Sequence, residues 1–184
     1  MDQTLSSIIS FRGKTPRIHP TAFIASGVRI IGDVEIGPHS SIWYNCVLRG
    51  DVNTIRIGAR TNVQDGTVIH CDSPKPGNEV GLPTIIGDDV LIGHMVMLHG
   101  SILHDGAFVG LSSTVMDGCT IDSDGMLAAG ALLSPGKHIG AGELWIGRPA
   151  KMLRTLSAEE IAGNRMGVVH YAQLAALHAE AVSG

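Results

Sequence analysis

The sequence predicts a mainly β protein: a parallel β-helix built from hexapeptide repeats, with one α-helix packed along its outside. Three observations carry this. Twenty aliphatic or tryptophan residues recur at near-regular six-residue intervals, glycine directly follows several of them, and only the C-terminal stretch switches to a helical pattern.

The repeat runs through Ile18, Ile24, Ile30, Ile36, Ile42 and Leu48, resumes at Ile57, Val63 and Ile69, and resumes again after a loop at Ile86, Ile92 and Leu98. It restarts one residue early at Leu103 and continues through Val109, Val115, Ile121, Leu127, Leu133 and Ile139 to Trp145. Every position is apolar although the chain is only 44% hydrophobic, so chance is a poor explanation. A period of six matches neither the 3.6 of a helix nor the two of a strand, and is the mark of hexapeptide β-helices. Three hexads close one triangular coil, and stacked coils lie about 4.8 Å apart, each inward aliphatic resting on its equivalent below. Twenty hexads make about six and two-thirds coils, enough for a continuous dry core despite few aromatics. The Gly in Ile36-Gly37, Ile57-Gly58, Ile86-Gly87, Ile92-Gly93, Val109-Gly110 and Ile139-Gly140 marks a corner.

The elements follow in order. Residues 1–17 are a lead-in without a long apolar core and with Asp2 ahead of any basic residue, which argues against a signal peptide. Residues 18–150 form the β-helix domain, interrupted at 72–84 by a loop rich in Pro and Gly; in a solenoid such an insertion marks the working face. Residues 151–184 hold the helix, from about Ala158 to Ala181, behind a capping box of Ser157 and Glu160. Its apolar stripe is read as Ile161, Val168, Val169, Ala172 and Ala176, a packing face along the prism.

Net charge of -4 and a sequence pI near 6.1 give no invitation to nucleic acid. No segment reaches the length of a membrane span, and the chain reads as cytoplasmic. Cys46, Cys71 and Cys119 lack metal-knuckle or redox spacing and read as small side chains in a reducing compartment, with Cys71 singled out only because it adjoins His70.

Position within the hexad decides where a side chain emerges. His70 follows Ile69 and His99 follows Leu98, which places both imidazoles at one corner on successive coils, within reach of a shared ion. His94 follows Ile92 by two residues and lies on the preceding face, about 13 to 16 Å of chain from His99, so one molecule does not easily unite all three. In a threefold trimer the face carrying His94 can meet the neighbour's corner of His70 and His99. Arg49 shares that corner one coil lower, and Gln64 and Asp65 lie one coil beneath His94, so Asp65 is expected to face Arg49 of the neighbour. Asn62 and Gln64 supply amides nearby. His19, His39, His104, His138, His170 and His178 read as solvent-facing or satisfied by neighbours.

Arg49-Gly50-Asp51, Asn62-Val63-Gln64-Asp65, Ile69-His70, Ile92-Gly93-His94 and Leu98-His99-Gly100 resemble the gamma-class carbonic anhydrases over nearly the whole chain. The resemblance implies a left-handed coil and a homotrimer. It implies zinc, with Fe(II) or Co(II) as alternatives, held by His70 and His99 of one subunit and His94 of the next. It further implies reversible hydration of carbon dioxide to bicarbonate by a metal-bound hydroxide, with Gln64 and Asn62 orienting hydroxide or bicarbonate and Arg49, Asp51 and Asp65 holding the interface and the ligands. The family prototype carries a glutamate where this chain has Val52, and a second in an acidic loop that here offers only Asp72 and Glu79. Metal-dependent hydrolysis of an acyl-coenzyme A thioester, acyl transfer and a non-catalytic, metal-stabilised trimeric scaffold remain as alternatives.

Overall fold

A computed structural model describes residues 7–183. The start of the lead-in, including Asp2, lies outside the described residues.

The hexads become three columns of short parallel strands. One column stacks Ile18 on Ile36, Ile57, Ile86, Leu103, Ile121 and Ile139. The second stacks Ile24 on Ile42, Val63, Ile92, Val109, Leu127 and Trp145. The third runs Ile30, Leu48, Ile69, Leu98, Val115 and Leu133. The apolar positions from Ile30 to Ile139 are buried, while Ile18, Ile24 and Trp145, at the two ends of the stack, remain partly exposed. Burial therefore depends on having a coil on both sides, as expected of a solenoid.

A second inward residue, two before the aliphatic one, is mostly small: Val28, Cys46, Thr61, Thr67, Val90, Ala107 and Cys119 are buried there, with Ile55 the large exception. Cys46 and Cys119 thus occupy filler positions. The buried hydroxyls of Thr61 and Thr67 in this row donate to carbonyls of the next coil, Gly87 at 2.8 Å and Gly93 at 2.9 Å, whereas Ser101 Oγ, two residues before Leu103, is buried without a partner. Corner glycines admit side chains from the adjacent coil. A Cβ on Gly58 would stand 2.3 Å from Asp88 Oδ1, the atom that accepts the Ala59 N–H at 2.8 Å.

Three features depart from the periodic reading. Ser7–Ile9 forms a parallel strand against Arg29–Ile31, adding Ile8 beneath Ile30; the tight hairpin bridging Phe11 and Lys14 breaks the six-residue phase and hides that strand from a count of intervals. After Trp145 the chain makes an antiparallel hairpin of Glu143–Gly147 with Ala150–Thr155 before the helix begins. The insertion is itself folded back, with bridges between Asp72 and Leu82 and between Lys75 and Asn78, and Thr84 already belongs to the next strand. Asn53 Nδ2 clamps it by donating to the carbonyls of Asp72 at 3.0 Å and Val80 at 2.8 Å.

The helix, Ala158–Ser183, starts at the expected capping box: Glu160 N–H donates to Ser157 Oγ at 3.2 Å and Ser157 N–H to Glu160 Oε2 at 2.8 Å. It lies on strands Phe23–Ile24, Ser41–Ile42, Asn62–Val63 and Leu91–Ile92. The buried face contains Val168 and Ala175, but Val169 is 53% exposed and Ala176 is also exposed, contrary to the stripe drawn from aliphatics alone. The true face turns toward Tyr171 and His178, which pack edge-on against Trp43 at centroid distances of 5.4 and 5.0 Å. Their polar tips hid them from a reading based on hydrophobicity. Among the described residues no helix is long and apolar enough to cross a membrane.

Candidate metal centre

Strand Met97–His99 pairs in parallel with Val68–His70, setting His99 directly over His70. Their rings stand 5.0 Å apart at 64°, with His70 Nδ1 3.0 Å from His99 Nε2. The opposite nitrogens are anchored to carboxylates: His70 Nε2 meets Asp51 Oδ1 at 2.9 Å, and His99 Nδ1 makes a short contact to Asp117 Oδ1.

Hydrogen positions follow from this network. An ionised carboxylate only accepts, so Asp51 places the His70 proton on Nε2 and Asp117 places the His99 proton on Nδ1. The nitrogens left facing one another then both present lone pairs. That arrangement is repulsive when empty and attractive around a cation. Two nitrogens bound to a tetrahedral ion at about 2.0–2.1 Å stand roughly 3.3 Å apart, close to the spacing seen here. The donor chemistry therefore fits a divalent metal, with each imidazole oriented by a carboxylate as in most metal-ligating histidines.

Electrostatics agree. Burial lowers the His70 pKa, the Asp51 bond opposes this, and the charge of Arg49 reinforces it; the net shift is downward and favours the neutral, ligand-competent ring. Burial alone would raise the Asp51 pKa, but hydrogen bonds from His70 and Arg49 outweigh it and hold the carboxyl below its usual range. Arg49 Nη1 donates to Asp51 Oδ2 at 2.8 Å, so both Asp51 oxygens are engaged.

His94 stands at another corner, in the turn after Leu91–Ile92 and one coil above Asp65. Its Nδ1 lies 2.8 Å from Asp65 Oδ2, and its Nε2 lies 3.3 Å from the hydroxyl of Tyr171 on the helix. Within one protomer, Asp65 thus partners His94 and Arg49 partners Asp51. Burial, with the charge of Asp65, raises the Tyr171 pKa and keeps its hydroxyl protonated. Asn62 and Gln64 belong to the same side of the prism; Gln64 Nε2 donates to Asn62 Oδ1 at 3.1 Å, and Asn62 Nδ2 is buried without a hydrogen-bond partner. Among the described residues no group of three or more His, Cys, Asp or Glu side chains converges as a cation site. One protomer unites His70, His99, Asp51, Asp117 and Arg49, and separately His94, Asp65, Gln64 and Asn62.

Val52 is 38% exposed and offers no titratable group. In the insertion, Asp72 is paired with Lys75 at 2.7 Å and Glu79 accepts the Gly77 N–H at 3.2 Å. Cys71 is buried, and desolvation pushes its thiol up to about 11, so it is an inert neighbour of His70.

Hexad positions alone missed two residues. Asp117 sits two places after Val115, which stacks on Leu98, and extending the count by one coil would have set it above His99. Tyr171 had no sequence signal, because its placement depends on how the helix docks.

Residues 15–50 match the bacterial transferase hexapeptide (six repeats) family. Over 166 residues, 90% of the chain, it is 46% identical to the protein named gamma carbonic anhydrase 1, mitochondrial, of Arabidopsis thaliana, and spans 60% of that relative's length. It is 44% identical to a carbonic anhydrase of Geobacillus kaustophilus, covering 84% of this chain and 81% of that one. Its backbone is similar to a crystal structure of a hexapeptide transferase family protein from Anaplasma phagocytophilum, with a TM-score of 0.85 at 45% identity, covering 95% of this chain and 98% of that one.

Proposed function

The chain belongs to the gamma carbonic anhydrase family of hexapeptide-repeat proteins, and from that premise we propose that it hydrates carbon dioxide reversibly to bicarbonate at a metal held between protomers of a homotrimer. The observation that carries this is the facing pair of imidazole nitrogens of His70 and His99, 3.0 Å apart, each ring held by a carboxylate on its far nitrogen.

His70 and His99 hold the ion from one protomer and His94 from its neighbour. Zinc is the first choice, with Fe(II) and Co(II) as alternatives, because imidazoles discriminate little among these. When bound, such a cation supplies the Lewis acidity that makes water nucleophilic near neutral pH. The protein's own groups do the rest. Asp51 and Asp117 keep the ligand tautomers fixed, and Asp65 does the same for His94. Arg49, 44% exposed at its side chain, keeps free N–H groups for an acceptor across the interface, Asp65 of the neighbouring protomer. Gln64, with Asn62 helping, is read as orienting hydroxide or bicarbonate, and the two amides are coupled because Gln64 Nε2 donates to Asn62 Oδ1 at 3.1 Å. Val52 provides no proton carrier and the loop carboxylates are already engaged, which favours slow proton export. Three buried free thiols suit a reducing compartment, cytoplasmic in this reading.

Metal analysis after anaerobic purification, followed by stopped-flow hydration of zinc- and iron-loaded protein, tests the assignment. His99→Ala is expected to abolish both tight metal retention and hydration. A folded trimer that hydrates carbon dioxide equally well without metal would refute it.

The similarity to a hexapeptide transferase family protein supports a second reading, chemistry on an acyl-coenzyme A thioester by transfer or hydrolysis. Thiol release or acyl transfer from a panel of acyl-coenzyme A substrates, with hydration absent, would favour it.

A further inference from the structure

We propose that Tyr171 is a latch on the metal-free protomer: its hydroxyl occupies the one His94 lone pair that a cation needs, so metal loading must release this part of the C-terminal helix. The inference rests on the metal-centre reading above and extends it to the helix.

The argument begins at Asp65. Its carboxylate lies 2.8 Å from His94 Nδ1 and, as an acceptor, places the imidazole proton there. Nε2 is left with a single in-plane lone pair, the pair that would coordinate a metal. Tyr171 Oη stands 3.3 Å from Nε2 and donates into it. A nitrogen lone pair cannot accept a hydrogen bond and bind a cation together, so the two states exclude each other.

The helix is built to survive that release. Tyr44, Asp65 and His94 occupy the same turn position on successive coils, two residues after Ile42, Val63 and Ile92. The helix touches this row twice, through Tyr171 at His94 and, seven residues on, through His178 Nδ1 at the Tyr44 hydroxyl, 2.8 Å away. Trp43 lies between, edge-on to both rings at 5.4 and 5.0 Å. Freeing Tyr171 leaves the His178 anchor and its contact with Trp43 in place, so the change is a local shift of one helical segment. Trp43 is positioned to report it.

The latch opposes metal binding by about one neutral hydrogen bond, which corresponds to between about twofold and tenfold in affinity. The test uses the full chain, zinc and a competing chromophoric chelator, with Trp43 emission read in a Trp145→Phe background. Tyr171→Phe keeps the ring on Trp43 and removes only the hydroxyl; thermal melts check that it folds. It is expected to bind zinc two- to tenfold more tightly than the parent and to lose most of the zinc-induced change in Trp43 emission. Equal or weaker zinc binding, or an undiminished emission change, would overturn the latch. Failure of the parent to bind zinc, or equal binding by His94→Ala, would instead remove the metal-centre reading and the latch with it.

Discussion

Replacing Asp117 by Asn should weaken metal binding although Asp117 is placed as a partner of His99 and not as a ligand. The carboxylate makes a short contact to His99 Nδ1, and this contact keeps the Nε2 lone pair aimed at His70. Asn retains one acceptor oxygen but no charge, and its amide can turn its N–H₂ toward the ring instead, favouring the wrong tautomer. Losing an orienting partner of a metal-bound histidine typically costs 10- to 100-fold in affinity. At 1.36 kcal/mol per tenfold this is about 1.4 to 2.7 kcal/mol. Gly100 offers a second handle: a Cβ there would lie 2.6 Å from Asp117 Oδ1, so Gly100→Ala should displace the same carboxylate, with added strain because Gly100 has φ of 48°. The assay is zinc competition against a chelator of known affinity at pH 7.5. Asp122→Asn is the control, since Asp122 bonds an equally polar histidine, His138, at 2.8 Å but on the exposed face. Wild-type affinity in Asp117→Asn, or an equal loss in Asp122→Asn, would refute the reasoning.

Three further outcomes are expected. Leu98→Ala, at a fully buried site in the middle of its column, should lower unfolding free energy by about 2–5 kcal/mol in denaturant titration, and Ile18→Ala at the partly exposed end by less; equal losses would contradict the stacked-coil account of burial. No cysteine should react with a thiol reagent at pH 8 in the native protein, because burial raises the Cys46 thiol to about 12, Cys71 to about 11 and Cys119 upward as well, whereas all three should react once unfolded. Burial would raise the Asp33 pKa, but Arg56 at 2.7 Å and Lys14 at 3.5 Å outweigh it and the shift is downward. A depressed folded pKa contributes stability above about pH 4 that disappears as pH falls through the folded value, so Asp33→Asn should flatten the acid limb of a stability-versus-pH curve; an unchanged limb would dismiss this ion cluster as a contributor.

Much of this protein was written in its sequence, and the reason is physical. In a solenoid each coil touches only its neighbours, so a local period of six determines the three columns, the buried face and the register that sets His99 on His70. Where phase is broken, local spacing loses that power: the strand Ser7–Ile9 lay beyond a hairpin, and the folded-back insertion depends on Asn53 from a different coil. The helix was legible as a helix through its capping box, yet its buried face was not, because Tyr171 and His178 pack through their rings while their polar ends seek His94 and Tyr44. Tertiary structure decided which nitrogen of each imidazole Asp51 and Asp117 hold, and that Tyr171 shares His94 with Asp65. Side-chain rotamers and the docking of a remote helix set those contacts, and neither is encoded in a six-residue period.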